Sequence, residues 1–366
     1  MKIKKVYIVV GTRPNFIKVT QFKTAGQWNE NIQIKIIHTG QHYDAGMSDI
    51  FFQQLGLTPD YFLNIRPASP NRQIGEIMDN LETLFEEIEK PDILLVVGDV
   101  NSTLAAALCA NKLGIKLGHV ESGLRSFDRT MPEEINRLIT DEITDYFFVT
   151  ESSGYGNLIN EGKPENRIFF VGNTMIDTLV AYNKEIEQSP ILTELELESE
   201  DYVLMTMHRP ATVDCLEGLQ KLRQIIEFIT QDLKLVFPIH PRTLKNFEKF
   251  GLKDAFESNK RLLYTPPLDY FAFQKLITRC KYVITDSGGI QEETTFLRKP
   301  CLTLRPNTER PVTVEIGSNT LIPLDIQIIE EFISAINSGR YKSGSVPDKW
   351  DGKATQRILE VVLSLI

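Results

Sequence analysis

The sequence predicts an α/β protein with two doubly wound sheets, and three observations predict it. Short apolar runs alternate with longer amphipathic stretches along the whole chain. Most of these runs are continuous, the pattern of strands buried on both faces of a parallel sheet. The 366 residues suit two domains at roughly 150 residues each. Repeated strand–helix alternation is best packed as βαβ units with helices on both faces of each sheet.

The first series of candidate strands is Val6–Val10, Ile34–Ile37, Ile93–Val97, Lys116–Val120, Tyr146–Val149 and Ile168–Val171. Helical stretches Ile74–Ile88 and Ser102–Leu113 lie between them. The series ends at the turn-like Gly172-Asn173-Thr174; Met175–Gln188 then reads as a helix and Ser189–Asp201 as a polar, acidic stretch. The second series is Tyr202–Met207, Leu233–Pro238, Arg261–Tyr264, Tyr282–Thr285 and Cys301–Leu304, with helices at Leu216–Gln231 and Ser287–Leu297. These breaks place a first domain at 1–172, a second at 173–351, and a last helix at 352–366 expected to pack back on the first. Two such domains would leave a cleft faced by strand C-termini, where ligands of open α/β sheets bind.

Composition removes several classes of function. Forty Lys and Arg against 49 Asp and Glu give a net charge of −9, the wrong balance for a protein that lives on nucleic acid. The four cysteines, Cys109, Cys215, Cys280 and Cys301, are far apart and form no CxxC, which fits a reducing cytosol better than a disulfide framework. No apolar run approaches the roughly 18 residues of a membrane helix. Val6–Val10 is too short for the core of a signal peptide.

Polar residues cluster where strands end. The first strand runs into Gly11-Thr12-Arg13-Pro14-Asn15-Phe16-Ile17-Lys18. That is either an anion site at a helix N-terminus, with Arg13 and Lys18 as its cations, or an ordinary βα turn with two surface cations. Asp286-Ser287-Gly288-Gly289-Ile290-Gln291-Glu292-Glu293 leaves backbone N–H groups bare between strand and helix, so a phosphate can approach closely. Glu293, a turn further on, can accept from a pair of ribose hydroxyls; the alternative is a Ser N-cap with a glycine turn. Arg305 and Arg310 follow the next strand, and together these segments describe a nucleoside-diphosphate site.

The first domain offers carboxylates instead: Asp99 after Val97-Gly98, Glu121 after His119-Val120, and Glu133 after Met131-Pro132. Converging carboxylates suit acid–base work, because they push each other's pKa apart. Each taken singly could instead cap a helix or pair with Arg125 or Arg137, and Glu134 reads as such a structural partner. His38 and His42 have a ligand-like spacing but no third or fourth ligand, so no metal is expected. His208 could bracket a diphosphate with Arg209, whereas His240 suits a core or loop role equally well.

In order, the motifs GTRPNFIK (11–18), HTGQHYD (38–44), GDVNST (98–103), HVESGLRS (119–126), MPEEINR (131–137), HRP (208–210), HPR (240–242), DSGGIQEE (286–293) and TERP (308–311) resemble the non-hydrolysing UDP-N-acetylglucosamine 2-epimerase family. The resemblance covers essentially the whole chain. It implies a GT-B-like fold, a cytosolic homodimer and no metal or nicotinamide. The implied reaction interconverts UDP-GlcNAc and UDP-ManNAc for surface polysaccharides. Asp99, Glu121 and Glu133 match the family's catalytic carboxylates, and His208 its catalytic or phosphate-contacting histidine. Arg13 and Lys18 match residues near the nucleotide. Ser287, Gly288 and Gly289 match the diphosphate loop, Glu293 the ribose ligand, Arg310 the phosphate arginine, and Phe273 the aromatic residue beside uracil.

The sequence also departs from the family pattern. No acidic residue directly follows His208-Arg209-Pro210, and Leu268 stands where some members have a glutamine near the base. Gln41-His42-Tyr43-Asp44 differs from members activated by a second substrate molecule. HTGQHYD and Met47–Phe52 also look like relatives acting on UDP-2,3-diacetamido-glucuronate. A GT-B glycosyltransferase, a hydrolysing relative and a nucleotide-sugar sensor are the competing functions. The glycosyltransferase would need an acceptor groove, and the sensor would not need Asp99, Glu121 and Glu133 together.

Overall fold

The apolar runs become short parallel strands, most of them buried and followed by a helix. The computed structural model describes residues 3–40, 52, 54–253, 256 and 258–365. They fall into two units, Met1–Ala181 with Asp348–Ile366, and Tyr182–Pro347.

The first unit contains β1 (Lys4–Val10), β2 (Ile32–His38), β3 (Tyr61–Phe62), β4 (Ile93–Val97), β5 (Lys116–Val120), β6 (Tyr146–Val149) and β7 (Ile168–Phe170). They pair in parallel in the order β3-β2-β1-β4-β5-β6-β7. The second contains β8 (Tyr202–Thr206), β9 (Lys234–Pro238), β10 (Leu262–Thr265), β11 (Tyr282–Thr285), β12 (Cys301–Leu304) and β13 (Asn319–Ile322), ordered β10-β9-β8-β11-β12-β13 and again parallel. Each unit is thus doubly wound about its first strand, with a topological switch point between β1 and β4 and another between β8 and β11. Continuous burial of β4 and β11 marks them as central strands. β3, with two residues, and β13, with Asn319 and Thr320 among its four, carry no apolar run for sequence pattern to detect.

The helix Arg13–Gly26 after β1 has no clean amphipathic period, because its buried side includes Asn15, Lys18 and Thr20 beside Phe16, Val19 and Phe22. The stretch expected as one helix from Met175 is two, Thr174–Ala181 and Asn183–Glu187, broken at Tyr182. Thr178 Oγ1 lies 2.6 Å from Thr20 Oγ1 on the helix Arg13–Gly26, whereas the Tyr182 ring meets Phe271, 5.4 Å between centroids. The chain therefore changes unit after Ala181, nine residues beyond the turn at Gly172. The acidic stretch that follows is not wholly solvated either, since it buries Ile191, Leu192 and Leu197.

The last helix, Ala354–Leu365, belongs to the first unit. Asp177 accepts from the backbone N–H of Ala354 (3.0 Å) and Thr355 (2.6 Å), satisfying donors that a helix N-terminus leaves open. Trp350, 2% exposed, donates from its indole to the Thr150 carbonyl at 3.0 Å. Gly172 has φ +92°, and a Cβ there would overlap the Lys349 carbonyl, so only glycine lets the returning chain lie this close. Trp350→Ala should accordingly destabilise the protein by about 3–5 kcal/mol, the range for a buried aromatic cut to alanine. Urea denaturation followed by circular dichroism measures this; a loss below about 1 kcal/mol would show that the returning segment does not hold the unit together.

Candidate functional site

In the first unit polar groups of the strand-end motifs collect around Gly98. Gly98 follows β4 at φ +69°, and its N–H donates to the Val120 carbonyl at 3.0 Å. A Cβ on Gly98 would stand 3.3 Å from Asn15 Nδ2, 3.3 Å from Glu121 Oε2 and 3.5 Å from Lys18 Nζ. Asn15 is fixed there by donating to the Val97 carbonyl at 3.0 Å and accepting from Thr12 Oγ1 at 2.9 Å. Lys18 and Glu121 are 6% and 2% exposed and form an ion pair through Glu121 Oε2. Glu121 Oε1 is buried without a hydrogen-bond partner among the described residues. Glu121 itself has φ +70°, a costly backbone state for a non-glycine residue.

Asp99 and Glu121 therefore flank one turn, but each carboxylate faces a cation and not the other. Asp99 Oδ2 accepts from Arg137 Nε at 3.0 Å. Arg137 also pairs with Glu134, which accepts from Ser126 N, Ser126 Oγ and Phe127 N, each at 2.9 Å. Glu134 is the structural partner that the sequence suggests. Glu133 occupies the first turn of the helix Pro132–Glu142 and is exposed. Arg13 opens its helix and is also exposed. Lys18, read as a nucleotide-side cation, has its ammonium on Glu121.

Below this turn lies His119, 0% exposed. Its Nδ1 is 2.6 Å from Asp141 Oδ1 and its Nε2 is 2.8 Å from the Gly98 carbonyl. Asp141 also accepts from Gly123 N at 3.0 Å and pairs with Arg125 at 2.7 Å. Burial pushes the Asp141 carboxyl up, but His119, Arg125 and the Gly123 N–H outweigh it and hold the pKa below the ordinary value.

In the second unit Asp286, 0% exposed at the end of β11, organises the neighbouring strand end. Its Oδ2 accepts from His208 N at 2.9 Å and Arg209 N at 2.7 Å, and its Oδ1 lies 2.8 Å from His208 Nδ1. Burial pushes the Asp286 pKa up, yet His208 and the two N–H groups bring it below the ordinary carboxylate value. His208 is thus oriented by Nδ1, with its ring half exposed. His240 caps the helix Pro241–Lys249, accepting from Arg242 N at 3.2 Å. Burial, then the nearby His208 and Arg242, lower its pKa.

Ser287 precedes the helix Gly288–Phe296 and donates its N–H to Thr285 Oγ1 at 3.0 Å. A Cβ on Gly288 would come within 2.9 Å of both Arg310 Nη1 and Glu309 Oε1, so Arg310 lies directly on this turn. Arg310 is 5% exposed and paired with Glu309 and, at 2.9 Å from Nε, with Glu292. Arg305 pairs with Glu309 at 3.0 Å. Gly289 is in the first turn of the same helix. Glu293 is 4% exposed and close enough to Tyr270 to help raise that phenol's pKa, behind burial as the larger cause. Phe273, on the helix Tyr270–Arg279, packs partly buried against the core with Leu268.

No group of three or more His, Cys, Asp or Glu side chains able to hold a metal occurs among the described residues. His38 is 2% exposed among Phe16, Phe52 and Phe62, and burial lowers its pKa to about 4. Gln41-His42-Tyr43-Asp44 and Met47–Phe51 lie outside the described residues. No helix among those described is long and apolar enough to cross a membrane.

Sequence reasoning gave no role to several residues that shape these sites, Asn15, Asp141, Asp286, Glu292 and Glu309, whereas it named Arg137 as a possible ion-pair partner. Asp286 could have been found as an acid ending an otherwise apolar strand. Asp141 carries no local signal, since an acid within an amphipathic helix normally faces water.

Residues 25–363 match the family described as UDP-N-acetylglucosamine 2-epimerase. The UDP-N-acetylglucosamine 2-epimerase of Methanocaldococcus jannaschii is 40% identical over 98% of this chain and 98% of its own. A crystal structure of the enzyme from that organism, in complex with UDP-GlcNAc and UDP, superposes with a TM-score of 0.88 at 40% identity, covering 98% of this chain and 99% of that one. The UDP-2,3-diacetamido-2,3-dideoxy-D-glucuronate 2-epimerase of Pseudomonas aeruginosa is 36% identical over 99% of this chain and 100% of its own. With two Rossmann-like parallel sheets of the GT-B-like class and this similarity along nearly its whole length, the chain belongs to the UDP-N-acetylglucosamine 2-epimerase family.

Proposed function

We propose that this protein interconverts UDP-N-acetylglucosamine and UDP-N-acetylmannosamine by inverting C2. The observation that carries the reading is Glu121: a buried carboxylate with one oxygen on Lys18 and the other without a protein partner among the described residues. It follows β5, and its Oε2 lies 3.3 Å from where a Cβ on Gly98 would stand, after β4, one of the two strands that flank the switch point. Such a group is held in place through one oxygen and presents the other to accept a proton.

The C2 hydrogen of the sugar has no adjacent carbonyl and is not acidic. Elimination solves this: a base takes the C2 proton while UDP leaves C1, giving 2-acetamidoglucal and UDP. UDP then re-adds as a proton arrives on the opposite face of C2. Groups on both faces are needed, and we assign them to Asp99, Glu121 and Glu133. Lys18 holds Glu121. The departing diphosphate needs donors already in place; we assign Arg13, His208, Arg310 and the Ser287, Gly288 and Gly289 turn to it. Asp286 fixes the His208 ring through Nδ1, which directs Nε2 to the ligand. Glu293 receives the ribose hydroxyls and Phe273 the uracil. No metal, nicotinamide or other cofactor enters the scheme. We further infer a cytosolic homodimer supplying precursors of surface polysaccharide.

A second substrate is favoured by one observation, the 36% identity with the Pseudomonas aeruginosa enzyme along the full chain. Supplying UDP-GlcNAc and UDP-2,3-diacetamido-glucuronate in parallel, with NMR of the anomeric region, decides between them.

Elimination predicts that product formed in D2O carries deuterium at C2, and that long incubations accumulate some free UDP with 2-acetamidoglucal. Asp99→Asn and Glu121→Gln should each cut turnover by a factor on the order of 10²–10⁴, the usual loss for a general acid or base, with little change in UDP affinity. Retention of the original hydrogen at C2 would exclude elimination.

Arg310→Ala should weaken UDP binding by about 1.5–3 kcal/mol, as for a charge-assisted hydrogen bond. Unchanged affinity in calorimetry would remove Arg310 from the diphosphate site.

A further inference from the structure

Behind the turn that carries Ser287 lies a chain of buried hydrogen bonds that the catalytic scheme does not use. Gln291, 0% exposed, is one turn into the helix Gly288–Phe296. Its Nε2 donates to the Ser287 carbonyl at 3.3 Å. Its Oε1 accepts from Thr308 Oγ1 at 2.8 Å and from Asn319 Nδ2 at 3.1 Å. Thr308 Oγ1 in turn accepts from the backbone N–H of Arg310 at 3.1 Å. On the far side Asn319, also 0% exposed, donates to Thr313 Oγ1 at 3.1 Å and accepts from Thr303 Oγ1 at 2.6 Å. Thr313 Oγ1 donates to the Arg310 carbonyl at 2.8 Å. Donor and acceptor roles agree at every step: both amides have their oxygens facing hydroxyl or amide donors and their nitrogens facing acceptors.

The two backbone polar groups of Arg310 are therefore both held by side chains that lead back to these two amides, and one of the amides also holds Ser287. Two segments distant in sequence are clamped to each other by polar groups that have no other reason to be buried. We propose that Gln291, Asn319 and Thr308 form a latch that sets Arg310 against the Ser287 turn, which makes Thr308 and Gln291 positioning residues for diphosphate binding. This rests on the assignment of the diphosphate to Ser287–Gly289 and Arg310. A flexible arginine gains affinity when it is pre-organised, and here the order is imposed on its backbone as well as through Glu292 and Glu309.

Thr308 is the residue to change, because it is only partly buried and its loss need not disturb the core. Thr308→Val keeps the shape and removes the hydroxyl; Thr308→Ser keeps the hydroxyl and removes the methyl. UDP binding to the full chain is measured by calorimetry, thermal unfolding is followed in parallel, and hydrogen exchange is read over residues 304–313. The expected result is a Kd for UDP raised about five- to tenfold in Thr308→Val, the worth of one net hydrogen bond. Thr308→Ser should stay near wild type, the melting temperature should move little, and 304–313 should exchange faster in Thr308→Val alone. Wild-type affinity in Thr308→Val, or equal weakening in both variants, overturns the latch. If the wild-type protein binds no UDP, the functional reading fails by itself. Exchange then decides the latch: unchanged protection of 304–313 in Thr308→Val overturns it, and faster exchange restored by Thr308→Ser supports it.

Discussion

Parallel strands cannot end on opposite edges of their sheet, and this constraint governs where every polar motif of the chain is found. In register, Val9 stands beside Val96 and Val97 beside Val120, so the residues that follow β1, β4 and β5 must emerge side by side. The same holds for Thr206 and Thr285 at the ends of β8 and β11. Backbone pairing thereby gathers Asn15, Lys18, Gly98 and Glu121 in one unit, and His208, Asp286 and Ser287 in the other, before any side chain makes a contact. At a switch point the two following helices diverge to opposite faces, which opens the space these groups line.

Having gathered charged groups at buried edges, the fold must neutralise them, because an unpaired buried charge is very costly. Lys18 answers Glu121, Arg137 answers Asp99 and Glu134, and Arg125 answers Asp141. In the second unit Glu292 and Glu309 flank Arg310. These pairs are a condition for having the groups there at all, more than a source of stability. They also fix orientation: a carboxylate or imidazole with one side committed to a partner presents a defined other side.

Much of this was legible in the sequence. The strands were, since continuous Val/Ile/Leu runs have few other uses, and so were the strand-end motifs. The two-residue β3 and the polar β13 were not, because neither offers an apolar run. Burial of Asn15 and Lys18 blurred the helix after β1, so the element nearest the chemistry was the hardest to read by periodicity. Asp99, Glu121 and Glu133 read in the sequence either as converging carboxylates or as partners of Arg125 or Arg137; in the structure Asp99 pairs with Arg137 and Glu121 with Lys18, whereas Glu133 is exposed. A one-dimensional pattern shows which residue types are present, whereas pairings such as His119 with Asp141 arise from strand register and helix rotation.

The closure between Gly172 and Lys349, together with the Asp177 cap and Trp350, gives the first unit residues from both ends of the chain. A protein is made from its N-terminus, so residues 182–347 leave the ribosome as an uninterrupted segment while the unit begun before them still lacks its last helix. The unit that starts first is finished last. Until residues 348–365 have been made, the surface awaiting Trp350 and the helix Ala354–Leu365 stays uncovered, an apolar face of the kind that draws chaperones or misassociation. The order of translation thus puts completion of the carboxylate-bearing unit after that of residues 182–347.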